Sequence, residues 1–210
     1  EFLGQEHLVG PGKPLRRAIE TDRLSSLVLY GPPGSGKTAL AHIVARRTRG
    51  RFVRLNAVMS GVGDIRRVVE EARAYRRMHG KRTILFIDEI HRFNRAQQDA
   101  LLPFVEDGTL TLIGATTENP FFEVVSPLIS RSRVFRLEPL SEAQVREGMV
   151  RALADRERGL GDLEPRVDEE ALELIARVSN GDLRLALNAL EMAVHAAEPG
   201  ADGTRHVTAQ

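Results

Sequence analysis

The octapeptide GPPGSGKT, Gly31 to Thr38, constrains this chain more than any other feature. It follows the apolar run Leu27-Val28-Leu29-Tyr30 and leads into Ala39-Leu40-Ala41. A loop that wraps a phosphate must aim several backbone N–H groups inward at close range. Glycine permits this, because it tolerates positive φ and puts no Cβ in the way. A helix starting directly afterwards adds its dipole and its free N–H groups. Lysine then supplies a compact charge for the β- and γ-phosphates, and the neighbouring hydroxyl suits Mg2+. Of 30 basic residues, only Lys13, Lys37 and Lys81 are lysines. Arginine's planar fork would not fit the same cradle, so position 37 escapes the bias. Gly31, Pro32, Pro33, Gly34, Ser35, Gly36, Lys37, Thr38 and Ala39 are therefore candidate triphosphate-binding residues, with Thr38 as a metal ligand. The fold they demand is strand, tight loop, helix.

The rest of the chain extends that demand. Leu27–Tyr30, Phe52–Asn56, Thr83–Asp88, Leu110–Thr116 and Arg133–Leu137 read as strands. Lys37–Arg47, Asp64–Met78 and Arg95–Val105 read as helices between them. Such alternation predicts an α/β fold, a parallel sheet covered on both faces, with ligands at the carboxyl ends of its strands. Beyond Pro139 no strand is convincing. Ser141 with Gln144 forms a capping box for one helix, and Asp168 and Asp182 are placed to cap two more. We expect an α/β domain over residues 1–139 and a small all-helical domain over 140–210. Residues 198–205 read as a loop, and Val207-Thr208 as the start of another element. Both ends are abrupt, which suggests an excised piece.

Composition removes several classes. There are no cysteines, which excludes disulfides and thiolate metal sites. A net charge of +1 gives no overall field toward polyanions, so nucleic-acid contact would need a local basic patch. Arg66, Arg67, Arg73, Arg76 and Arg77 form one such run, interrupted by Glu70 and Glu71 and without interleaved aromatics; most such runs are solvated faces. No apolar run approaches the ~20 residues that a membrane helix needs.

The second chemical element is Thr83-Ile84-Leu85-Phe86-Ile87-Asp88-Glu89, an apolar strand ending in two carboxylates. Asp88 suits a role at Mg2+, and Glu89 can take the proton of an attacking water. With the glycine loop these residues make a site for a Mg–nucleoside triphosphate. His91, beside Glu89, reads more readily as structural than as a coupling residue.

At this point a resemblance becomes specific. Gly31–Thr38 together with Ile87-Asp88-Glu89-Ile90-His91 resembles the AAA+ ATPases of the clamp-loader group. The runs Arg92-Phe93-Asn94, Gln97-Gln98-Asp99, Glu106-Asp107-Gly108 and Gly114-Ala115-Thr116-Thr117-Glu118-Asn119-Pro120 narrow it to the replication-associated recombination protein A family, whose eukaryotic members are the Werner-helicase-interacting ATPases. The resemblance runs from Gly4-Gln5 to the third helix of the helical domain, which it identifies as a lid. It implies that Thr117 is sensor 1 and that Arg131, in Ser130-Arg131-Ser132, is an arginine finger offered to a neighbouring subunit. Arg133 is the competing candidate, and Ser132 stands where the group carries cysteine. Arg184, in Gly181-Asp182-Leu183-Arg184, takes the sensor 2 place. Leu3, Gly4, Gln5 and Leu8 match the adenine-side box, with packing as an equal alternative.

The same resemblance implies ATP and Mg2+ as cofactors and a homotetramer assembled by a C-terminal region. It also implies DNA as partner, at single-stranded ends or forks, with replication proteins nearby, in a cytoplasmic, nucleoid-associated setting. Weak ATPase activity is expected for an isolated piece. The alternatives are a nucleotide-switched binding module or clamp-loader-like subunit, a Holliday-junction branch-migration motor, and a small-metabolite kinase, for which no acceptor pocket is visible.

Overall fold

The structure is a computed structural model describing residues 2–200 and 204–209. The chain divides into two compact units. Of the described residues, the first comprises Gln5–Gly31 and Gly36–Leu137; the second comprises residues 2–4, Pro32–Ser35, and those from Glu138 on.

The first unit opens with two short helices, α1 (Glu6–Val9) and α2 (Pro14–Glu20). There follow β1 (Leu27–Tyr30), α3 (Lys37–Arg47), β2 (Arg51–Asn56), α4 (Val62–His79) and β3 (Thr83–Asp88). Next come α5 (Arg95–Glu106), β4 (Leu110–Thr116), α6 (Pro120–Glu123), α7 (Ser126–Ser130) and β5 (Arg133–Arg136). The five strands form one parallel sheet in the order β2-β3-β4-β1-β5. Strand alternation sorts its side chains. Leu85 and Ile87 of β3 join Leu110 and Leu112 of β4 in one core with Ile65, Val68, Val69 and Ala72 of α4 and Leu101 of α5. Ile84 and Phe86, pointing the other way, are equally buried. Phe86 stacks on Phe52, which in turn meets His42 of α3. The sheet is thus covered on both faces, as a buried parallel sheet must be.

All five sequence-derived strands and three helices of this unit are present. α4 starts at Val62, earlier than the expected Asp64, because Asp64 is already inside the first turn: its carboxylate accepts the Gly61 N–H at 2.9 Å. Gly61 and Gly63 hide that turn from a propensity reading. β5 ends one residue before the expected Leu137.

The second unit holds α8 (Glu142–Ala154), α9 (Glu169–Val178) and α10 (Leu183–Ala196) around a core of Val145, Met149, Leu172, Ala176, Ala186, Leu190 and Val194. The Ser141–Gln144 capping box is formed, and the Asp182 carboxylate accepts from the N–H groups of Arg184 and Leu185. Two expectations need correction. Asp168 precedes α9, but its side chain makes no cap hydrogen bond; it pairs with His206 Nε2 at 2.8 Å. The unit also contains strand, since β6 (Arg166–Val167) pairs in parallel with β7 (His206–Val207). Two-residue strands carry no readable period. The expected loop over residues 198–205 falls partly outside the described residues, at 201–203. Flanking it, Pro199 and Arg205 form an isolated bridge.

Candidate active site

Parallel pairing decides which chain ends meet. β1 lies beside β4, with Tyr30 opposite Thr116, and β4 lies beside β3. The loop after β1, the threonines after β4 and the carboxylates after β3 therefore emerge from one edge of the sheet, at the carboxyl ends of neighbouring strands.

The loop is built around its glycines. Gly36 immediately precedes α3 with φ 98°, a left-handed conformation that a side chain would strain. Gly31 lies against Leu137, whose carbonyl oxygen a Cβ would hit, and donates its own N–H to Thr116 O at 3.2 Å. Ser35 is buried and closes the loop from within by donating Oγ–H to Pro32 O at 2.8 Å. Lys37 is only 8% exposed, and its Nζ donates to the Gly31 carbonyl at 2.8 Å. A buried ammonium must be solvated by the protein or by a ligand. Here the loop does so with its own carbonyl. Thr38 is half-buried in the first turn of α3, beside the exposed Ala39.

The acidic strand tip is more constrained than its sequence suggests. Asp88 Oδ2 accepts from Arg54 Nη2 at 2.9 Å, and the Arg54 guanidinium also lies over the Phe86 ring. Arg54 was not singled out in the sequence, because the β2–β3 register that brings it near Asp88 is not readable there. Glu89 has φ 54° and ψ 49°. A non-glycine residue there costs about 1–3 kcal/mol, and such strain collects at functional positions. Its Oε2 is buried and makes no hydrogen bond, although His91 Nδ1 stands 3.3 Å away. The same Nδ1 is 2.8 Å from Thr116 Oγ1. Thr116, the last residue of β4, is wholly buried and also accepts from Glu118 N at 3.0 Å. Thr117 is half-buried just past the strand end.

The remaining candidates are further out. Arg131 follows α7, ion-pairs with Glu106 at 2.6 Å, and donates to Pro127 O and Ser130 Oγ. Ser132 Oγ is buried without a hydrogen-bond partner. Arg184 is exposed on the first turn of α10, in the second unit. Leu3 and Gly4 belong to that unit, whereas Gln5 and Leu8 belong to the first. Gln5 is buried at φ 61°, and its carbonyl receives Leu8 N and Val9 N. The basic run on α4 is largely engaged internally: Arg67 pairs with Asp64, Arg76 reaches Asp107 O, and Arg73 lies over Phe104.

No helix among the described residues is long and apolar enough to cross a membrane. None of the described residues form a cluster of three or more metal-ligating side chains. Mg2+ does not need one, since it commonly takes one or two protein oxygens with phosphates and waters. A hydroxyl from Thr38 and a carboxylate from Asp88 fit that donor chemistry.

Residues 27–140 match the model of the ATPase family associated with various cellular activities (AAA). The chain belongs to the AAA ATPase family. Residues 161–210 match the model of an AAA C-terminal domain. Among curated AAA relatives, the chain is 50% identical to replication-associated recombination protein A of Escherichia coli K12, over 98% of this chain and 46% of that protein. It is 43% identical to the Bacillus subtilis protein of that name, over 99% of this chain and 48% of the relative. It is 44% identical to the ATPase WRNIP1 of Dictyostelium discoideum, over 93% of this chain and 22% of the relative. The chain thus spans about half or less of these relatives. Among solved structures, a RuvB variant of Thermotoga maritima superposes with a TM-score of 0.75 at 31% identity, covering 93% of this chain and 64% of that one. The AAA fold expected from the sequence, a parallel α/β sheet followed by a helical domain, is the fold observed.

Proposed function

We propose that this chain binds ATP with Mg2+ and hydrolyses it, as the nucleotide-binding part of a protein acting in replication-associated recombination. The observation that carries the reading is the convergence at one sheet edge of the glycine loop, Asp88-Glu89 and Thr116-Thr117. The loop amides and the α3 N-terminus would receive the phosphates. Lys37 would exchange the Gly31 carbonyl for phosphate oxygens. Thr38 and Asp88 would hold Mg2+, which when bound neutralises phosphate charge. Glu89 would accept the proton of the attacking water, and Thr117 would hold that water or contact the γ-phosphate.

Arg131 is proposed as the group entering a neighbouring subunit's site. Its present partner, Glu106, is about half exposed, so the ion pair holds it by only ~0–1 kcal/mol. Arg184 is proposed to reach the γ-phosphate, and Leu3, Gly4, Gln5 and Leu8 to face adenine. The division at residues 1–139 and 140–210 would then separate a nucleotide-binding domain from a lid. The names of the relatives support a role in replication and recombination; self-association, DNA ends or forks as the target, replication proteins as partners and a nucleoid-associated location are proposed from the family resemblance of the sequence. The RuvB likeness supports a second reading, a branch-migration motor, built on the same ATP chemistry.

Glu89→Gln is the deciding variant. It is expected to bind ATP as the wild type does and to lose phosphate release by about 100-fold or more in single-turnover assays. Undiminished hydrolysis would remove Glu89 from the reaction. Phosphate released without a phosphorylated acceptor would set the ATPase reading apart from a kinase.

A further inference from the structure

We infer that Arg54 sets how far ATP uptake depends on Mg2+: its guanidinium balances the Asp88 carboxylate, so that a triphosphate can enter the site without the metal. The inference rests on the proposed roles of the glycine loop and of Asp88.

The contact follows from strand register. β2 and β3 run in parallel, with Arg54 opposite Phe86 and Asn56 opposite Asp88. Side chains alternate along a strand, so Arg54, Phe86 and Asp88 share one face of the sheet. The Arg54 guanidinium crosses the Phe86 ring at 5.8 Å from its centroid, and its Nη2 donates to Asp88 Oδ2 at 2.9 Å. Arginine does both at once, because its planar fork stacks on a ring and still donates within its own plane. The guanidinium is thus held at two points, unlike one tethered by an exposed ion pair alone. The Asp88 side chain is only 22% exposed, and its Oδ1 makes no hydrogen bond among the described residues. Arg54 occupies one carboxylate oxygen and leaves the other.

The charges decide the consequence. Asp88 and Glu89 follow one another at the sheet edge from which the glycine loop also emerges. ATP without metal is a polyanion. An unbalanced Asp88 would repel it, and Mg2+ would be needed to offset the repulsion. Arg54 removes most of that repulsion. The same positive charge opposes Mg2+. Its loss therefore has two effects that act together: metal-free ATP binds less well, and Mg2+ binds better. Both raise the dependence of ATP affinity on Mg2+.

The test compares affinities within one protein. Calorimetric titration of ATP in EDTA and in saturating Mg2+ gives two dissociation constants, and their ratio measures the coupling between metal and nucleotide. Arg54→Met keeps an unbranched apolar stem against Phe86 and drops the charge. Its ratio is expected to exceed that of the wild type by about fivefold or more at low salt, and the excess should shrink as salt is added. Arg54→Lys, which keeps the charge, is expected to stay within about twofold of the wild type. A merely structural arginine would weaken both titrations alike and leave the ratio where it was. An Arg54→Met ratio equal to or below that of the wild type would overturn the inference. So would a lysine variant that behaves like the methionine variant, or a wild type that takes up ATP only with Mg2+. In each of these cases uptake of Mg-ATP by the wild type would leave the site reading standing. A wild type that binds no nucleotide in either buffer would overturn both.

Discussion

Each residue of the nucleotide loop has a duty that its sequence only half displays. Gly36 was legible as a positive-φ position, but the collision that keeps a side chain off Gly31 comes from Leu137, far along the chain. Lys37 was legible from composition, as the exception to an arginine-rich chain. Its carbonyl partner was not, since only the folded loop brings Nζ back onto Gly31. The same holds at the acidic tip: Asp88 and Glu89 stood out, while Arg54 and Thr116, which touch Asp88 and His91, come from other strands. Ser132 is a clear misfit at this scale. A buried hydroxyl without a partner costs about 1–3 kcal/mol. Ser132→Cys, which replaces the hydroxyl by a slightly larger and only weakly polar thiol, is expected to raise the melting temperature without changing ATP affinity. A lower melting temperature by calorimetry would show that the hydroxyl is satisfied after all.

Among the elements, those with a period or a cap were readable and those without were not. β1 to β5 and the helices α3, α4, α5 and α8 to α10 announced themselves through apolar spacing. The short helices α1, α2, α6 and α7 and the two-residue strands β6 and β7 did not, because one or two turns, or a single pair, carry no readable period. Asp168 shows the limit of cap reading, since His206 competes successfully for its carboxylate. Junctions between elements also carry charge chemistry. At the end of α5, Asp107 Oδ1 accepts the Thr109 N–H at 2.7 Å and starts the turn into β4. The hydrogen bonds from Thr109, helped by Arg73 and Arg76, hold the Asp107 carboxyl below the ordinary aspartate range. The folded-state pKa is depressed, so this stabilisation is complete above the unfolded value and lost as pH falls through the folded one. Asp107→Asn should therefore be less stable than the wild type near neutral pH. The gap in melting temperature should close as the solution is acidified past the aspartate range. A gap independent of pH would mean that the charge contributes nothing.

For the whole molecule, the AAA fold was legible because one loop fixes strand, loop and helix, and strand–helix alternation fixes the rest. The association of Pro32–Ser35 with the helical unit was not legible, because it depends on tertiary contact and on no local pattern. Assembly is where the proposed chemistry extends beyond one chain. If Arg131 serves a neighbour, hydrolysis per chain should rise with protein concentration. Arg131→Ala should then bind ATP normally while losing about 10³-fold or more in turnover, the usual worth of an arginine finger. Rapid hydrolysis that is independent of concentration and indifferent to Arg131→Ala would place the reaction within a single chain.

The central claim is that the loop from Gly31 to Thr38 grips a triphosphate through its amides and the Lys37 ammonium. Calorimetric titration of Mg-ATP into the wild type, Lys37→Ala and Lys13→Ala tests it most directly. The wild type and Lys13→Ala should each take up one nucleotide with equal affinity, and Lys37→Ala should bind at least about tenfold more weakly. Equal binding by Lys37→Ala, or no uptake by the wild type, would contradict the account.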